Sequence, residues 1–282
     1  GMGKNNDQID LIFFMAKDDP GSLRKFPEKN YILPGENVVL SAVFSKGLFD
    51  RVVLTGEYAQ SAVTADLRAS EAKESFASPI NLTPGFKQRS STSFHSAFNT
   101  KVTYSVEGFS IGVGYERIDP NYRTFGAYYF NDDMQNYTLN TSKQFGNKLN
   151  LNLSGGIQQN NLTGEKMSGM NRYIGSINVG YNPTPRLALT GGYSNFQTFT
   201  RVKPLSQLEN SNLPGELNGN PDTLNFIQLT QSANGSANYL LSDPSNKKVR
   251  NSLTFILTYQ TAGEKRSNTN LPAAGTLYRS FI

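Results

Sequence analysis

Cysteine is absent from the 282 residues, so the chain has no disulfide framework, no thiolate metal site and no cysteine nucleophile. Histidine occurs once, as His95. That single residue removes the usual ligand set for zinc and the usual acid–base catalyst. Charge is also scarce. Charged residues make up 17% of the chain, against about 25% in ordinary soluble domains. The net charge is +5, and the basic residues are scattered rather than clustered, so no nucleic-acid groove is expected. No apolar run reaches the 18 residues of a membrane helix. The run Leu11-Ile12-Phe13-Phe14-Met15-Ala16 is too short and lacks a preceding basic flank, so it does not read as a signal peptide. Residues 1–8 are expected to be a disordered or tag-derived N-terminus, and 9–282 a single domain.

Asn, Ser, Thr and Gln fill the space that charge leaves, beside 14 Tyr and 18 Phe. That mixture excludes a coiled coil and argues against a disordered tail. The order of these residues is more informative than their number. From Phe94 to Val106 one face reads Phe94, Phe98, Val102, Tyr104 and Val106, while the other reads His95, Asn99, Lys101, Thr103 and Ser105. In a strand these two sets point to opposite sides. The same alternation recurs at Phe109–Tyr115, Leu149–Ile157, Tyr173–Tyr181 and Leu253–Tyr259. No segment carries a helical period.

About twelve strands follow, at 9–17, 37–48, 51–66, 93–106, 109–119, 135–145, 148–160, 172–182, 186–201, 225–241, 249–262 and 275–282. Short turns at 49–50, 107–108, 146–147, 183–185 and 242–248 alternate strictly with long polar loops at 18–36, 67–92, 120–134, 161–171, 202–224 and 263–274. In an up-and-down antiparallel sheet every second connection lies at the same end. Short turns at one end and long loops at the other are the signature of an outer-membrane barrel. A tilted membrane strand needs about 9–11 residues, whereas soluble strands average about 5–6.

The aromatic positions add to this. Tyr58, Phe94, Tyr115, Tyr137, Tyr173, Tyr193 and Tyr259 fall toward the long-loop ends of the apolar face, and Phe44, Tyr104, Phe109, Phe145, Tyr181 and Tyr239 toward the short-turn ends. Two such rings match the interface girdles of a membrane barrel. A soluble β-sandwich gives the same alternation but does not explain long strands with all long loops at one end. The expected fold is therefore all-β: an up-and-down antiparallel transmembrane barrel with short periplasmic turns, long extracellular loops and both termini periplasmic.

The stretches Asn37-Val38-Val39-Leu40 through Tyr58-Ala59-Gln60-Ser61-Ala62-Val63-Thr64-Ala65-Asp66, and Tyr115-Glu116-Arg117-Ile118-Asp119-Pro120-Asn121-Tyr122-Arg123-Thr124-Phe125-Gly126, resemble strands of large outer-membrane β-barrels of the Bacteroidota. The resemblance covers most of the chain in style. It implies an outer-membrane location and no catalytic residues. Barrels of that group serve as porins, TonB-dependent transporters, and secretion or gliding machinery. Nothing here matches a plug domain.

No enzyme is expected from these residues. His95 lies on the polar face beside Asn99 and Lys101, Ser96 points the other way, and no G-x-S-x-G pattern occurs, so no catalytic, cofactor-binding or metal residue is assigned. Asp18-Asp19 and Asp132-Asp133 read as solvated loop acids, without a calcium-loop pattern. The loop aromatics Tyr122, Phe125, Tyr128, Tyr129 and Phe130 either bind a sugar or partner or fold inward as a loop core. The polar face of the later strands is nearly uncharged: Thr138, Asn140, Ser142, Gln144, Asn150, Asn152, Thr190, Ser194, Gln228, Thr230, Ser232, Asn234, Ser236 and Asn238. Uncharged walls suit neutral polar solutes or a filled lumen. Earlier strands place Glu57, Lys101 and Glu116 on that face, and Lys101 is expected to bridge the two acids. The functional expectation is a passive channel or structural barrel for small polar solutes. The alternatives are a subunit or fragment of a larger transport or secretion assembly, and a soluble adhesin-like β protein. Outer-membrane lipid and proteins of a membrane assembly are the expected partners, and no cofactor is expected.

Overall fold

The computed structural model describes residues 2–4, 7–22, 33–127, 131–202, 224–242, 251–266 and 278–281. Its strands are β1 (Met2–Lys4), β2 (Asp7–Lys17), β3 (Glu36–Leu48), β4 (Val52–Thr64), β5 (Thr92–Val106), β6 (Phe109–Ile118), β7 (Met134–Phe145), β8 (Leu149–Asn160), β9 (Ser168–Thr184), β10 (Leu187–Val202), β11 (Leu224–Leu240), β12 (Ser252–Arg266) and β13 (Tyr278–Phe281). One 3-10 turn, Pro79–Leu82, is the helical element among the described residues. Each strand neighbours the next in sequence, in one sheet of order β1 to β13. The described pairings are antiparallel.

The expected alternation gives these strands because a period of two puts all apolar side chains on one face. From β2 to β12 their lengths, 10 residues in β6 to 17 in β9 and β11, exceed the soluble norm. The short turns need left-handed backbone. Gly108 (φ 67) and Gly146 (φ 55) supply it without a Cβ penalty, and Phe49 (φ 54) adopts it despite its side chain.

Three expectations change. Among the described residues the sheet has thirteen strands against about twelve expected, because Met2–Lys4 pairs with Asp7–Ile9. Strand β9 begins at Ser168, four residues earlier than expected, because Val202 to Thr198 of β10 continue the ladder to Ser168–Arg172. The sheet order has two ends, with β1 and β13 each paired to a single neighbour among the described residues. What stands is an all-β, up-and-down antiparallel sheet.

The chain divides into two compact units. The first comprises 1–102 and 115–135, the second 103–114 and 136–282. In the first, the long-loop half of β3 and β4 is covered on both faces. The 65–91 connection lies over the apolar side, where Ile80 and Phe86 pack on Val38 and Ala62, with Met15, Leu40 and Phe94 around them. The Phe76 ring tilts against Phe94 at 4.9 Å, so Phe94 is a loop contact rather than a bare girdle residue. Tyr58, one step closer to the turn, stays 46% exposed. The 119–133 connection lies on the other side, where Tyr122 and Ile118 pack on Ala59 with Ala97 and Met134.

In the second unit the apolar side of β8–β12 carries no such cover among the described residues. Register aligns Leu151, Val179, Gly191, Gly235 and Leu257 in one row, and Leu153, Ile177, Tyr193, Ala233 and Tyr259 in the next. Leu257 is 63% exposed and Phe255 70%.

Candidate functional site

The polar side of β8–β12 is built from rows that the register brings together. Asn152, Asn178, Gly192, Asn234 and Thr258 form one row, and Ser154, Ser176, Ser194, Ser232 and Gln260 form the next. Small hydroxyls directly opposite each other pair across the strands. Ser154 and Ser176 lie 2.6 Å apart, Ser194 and Ser232 2.7 Å, and Thr190 and Ser236 2.7 Å. In the same unit Ser110 and Ser142 stand 2.8 Å apart, and Asn238 donates to Thr254 Oγ1 at 2.7 Å. The hydroxyl pairs hold their rung in place. No ionisable side chain interrupts either row.

Charge returns at the long-loop end. Arg172 donates to Gln158 Oε1 at 2.9 Å and lies 5.1 Å from the centre of the Phe196 ring. Toward the short turns, Ser105, Ser110, Ser142, Asn150 and Asn152 line part of a groove of about 430 Å³. That volume is within the range of small-molecule sites.

In the first unit the polar side is closed instead. Asn37 is fully buried, donates to Ser61 Oγ (2.9 Å) and the Ala62 carbonyl (3.0 Å), and accepts the Phe125 N–H at 2.9 Å. Ser61 Oγ donates to the Arg123 carbonyl at 2.7 Å. Asp119 accepts the Ser96 N–H at 3.0 Å, which anchors the start of the 119–133 connection. Burial, with Glu57 nearby, raises the Tyr122 hydroxyl above the ordinary tyrosine value.

The residues singled out from sequence fall as follows. Tyr122 is 5% exposed and part of the loop core, whereas Phe125 is exposed with Arg123 6.0 Å from its ring. Tyr128, Tyr129 and Phe130 lie outside the described residues. Glu57 accepts from Ser41 Oγ at 2.6 Å. A neutral hydroxyl thus meets Glu57 from the neighbouring strand, and Lys101 is exposed. His95 lies near Asp119, Arg123 and Asp132, beneath the loop. Asp18 and Asp19 accept backbone N–H groups of Gly35 and Gly21, both at 2.8 Å. Asp133 is fully buried rather than solvated. Among the described residues no group of three metal-ligating side chains gathers.

Sequence reading missed Asn37 and Ser61 as the seat of a loop, because the loop that covers them is 60 or more residues away in the chain. It also missed Gly192, whose neighbours only the register reveals. No protein-family model matches this chain, and no curated protein matches it.

Proposed function

We propose that this chain is an outer-membrane β-barrel protein that acts as a passive channel or structural barrel for small neutral solutes. The observation that carries the reading is the bare apolar face of β8–β12, set opposite a polar face that is uncharged except toward the long loops. Water-soluble monomers rarely expose contiguous apolar patches above a few hundred Å². In lipid that face is solvated by hydrocarbon, and the polar face lines the lumen. Tyr181 and Tyr239 lie toward the short-turn edge of the apolar rows and Tyr173 toward the long-loop edge, with Tyr193 and Tyr259 in a middle row. Lys143 sits near the short-turn end within 5.6 Å of the Phe109 ring and 5.7 Å of the Phe145 ring, the arrangement of a cation reaching from an apolar band to headgroups.

The short turns then face the periplasm and the long loops the exterior. No reaction is assigned. The test is folding of the full chain into detergent or bilayers, read as a heat-modifiable gel shift, followed by conductance in planar bilayers. A chain that stays folded and monomeric in plain buffer overturns the reading. The two ends of the sheet order favour a second reading, in which these strands belong to a larger outer-membrane transport or secretion assembly. Co-purification with large membrane partners distinguishes it from a self-contained barrel.

A further inference from the structure

Gly192 lies between Asn178 on β9 and Asn234 on β11. A Cβ built on Gly192 would stand 2.5 Å from Asn234 Oδ1 and 2.9 Å from Asn178 Oδ1. Both carboxamides therefore lean over the glycine, one from each neighbouring strand. Both side chains are exposed, and neither has a hydrogen-bond partner among the described residues. Adjacent hydroxyls in the next row pair with each other, so the amide row is the one left with its hydrogen-bonding capacity open to solvent. Each carboxamide offers an acceptor and two donors.

We propose that Asn178, Asn234 and the space over Gly192 form a binding site for a neutral polyhydroxylated solute, a sugar. The inference rests on the reading of this face as a lumen wall, and it names the solute class. The chemistry selects against the alternatives. A hard cation takes 6–8 oxygens and favours carboxylates, and this row has none. An anion would need a cation, and Arg172 is six residues along β9, roughly 20 Å at 3.3 Å per residue. A sugar hydroxyl both donates and accepts, which matches a carboxamide pair and the serine row beside it. Glycine is required because any side chain at 192 would displace both amides.

The experiment titrates maltotriose, a neutral oligosaccharide, into the detergent-folded full chain and follows the heat of binding. Folding is checked in parallel by the heat-modifiable gel shift. Saturable binding is expected, weakened about tenfold in Asn178→Ala, Asn234→Ala and Gly192→Ala and unchanged in the turn variant Lys148→Ala. Folded protein that binds no maltotriose, or amide variants that bind it like the parent, overturns this inference and leaves the barrel reading standing. A chain that does not fold in detergent overturns the barrel reading, and the inference with it. If Gly192→Ala fails the gel-shift check, the two asparagine variants decide the matter, because their side chains are exposed and replacing them leaves no buried group unpaired.

Discussion

Asn37 and Ser61, on β3 and β4, are fully buried and bonded to each other and to the backbone of a loop that covers them. Asn178 and Asn234, at mid-strand on β9 and β11, stand exposed. Small polar side chains occupy both places, and the same alternation puts them on the polar face. What differs is the connection above. In the first unit, 65–91 and 119–133 fold back onto the two faces of the strands, and polar side chains become the inner seat of a loop. In the second, the rows of β8–β12 keep both faces open among the described residues. Long-loop coverage, rather than strand composition, decides whether a polar face is a core or a wall.

The largest expected effect removes that coverage. Ile80 is fully buried beneath the 65–91 connection, and Ile80→Ala should cost roughly 2–4 kcal/mol in denaturant unfolding, with faster proteolysis of that loop. A loss under about 1 kcal/mol would show that the loop only rests on the sheet. Next, Leu151→Arg on the bare face should lower the free energy of folding into bilayers by roughly 2–4 kcal/mol, and Asn150→Arg on the opposite face by less. Equal tolerance of the two would undo the assignment of faces.

The comparison sharpens with one substitution made in both regions. Asn37→Ala strands the Phe125 N–H and should cost roughly 1–3 kcal/mol. Asn152→Ala, exposed on β8, should stay within about 0.5 kcal/mol. Chemical denaturation of the two variants side by side checks the contrast. Matching losses would mean that coverage does not matter.

The smallest effect is acid loosening of 65–91. The Arg68 side chain donating to Asp66, and Lys87 donating to Glu71, hold both carboxyls below their ordinary range. A lowered folded pKa gives stability that is present above the unfolded value and lost as pH falls through the folded one. Amide exchange at Ala72 and Ser90, whose N–H groups bond across this loop, should therefore rise below about pH 4. The amide and serine rows of β8–β11 hold no carboxylate and should not respond.

Much of this fold was legible because the period-two pattern is local. Nine of the long strands read from sequence lie within two residues of those observed; β9 starts four residues early at its long-loop end because β10 extends to meet it, and β12 runs four residues further, to Arg266, against β11. Turn chemistry was legible at Gly108 and Gly146. The return of loops onto the strands was not. Nothing near Asn37 announces that Phe125, 88 residues later, will bond to it. The surroundings of Glu57 were hidden for a related reason. Alternation put Glu57 and Lys101 on one face, but Ser41, on the neighbouring strand, reaches Glu57 first. The amide row was visible as residues, while the gap between its members lay in a glycine that alternation treats as empty.

The nearest-neighbour order of the sheet has a kinetic consequence. Every strand pairs with the strands made just before and just after it, so each pairing closes only the one connection between them. Closure entropy grows slowly with loop length, and no step among the described pairings waits for distant chain ends to meet. Folding can then proceed as successive hairpin addition, in either direction, from whichever tight turn forms first.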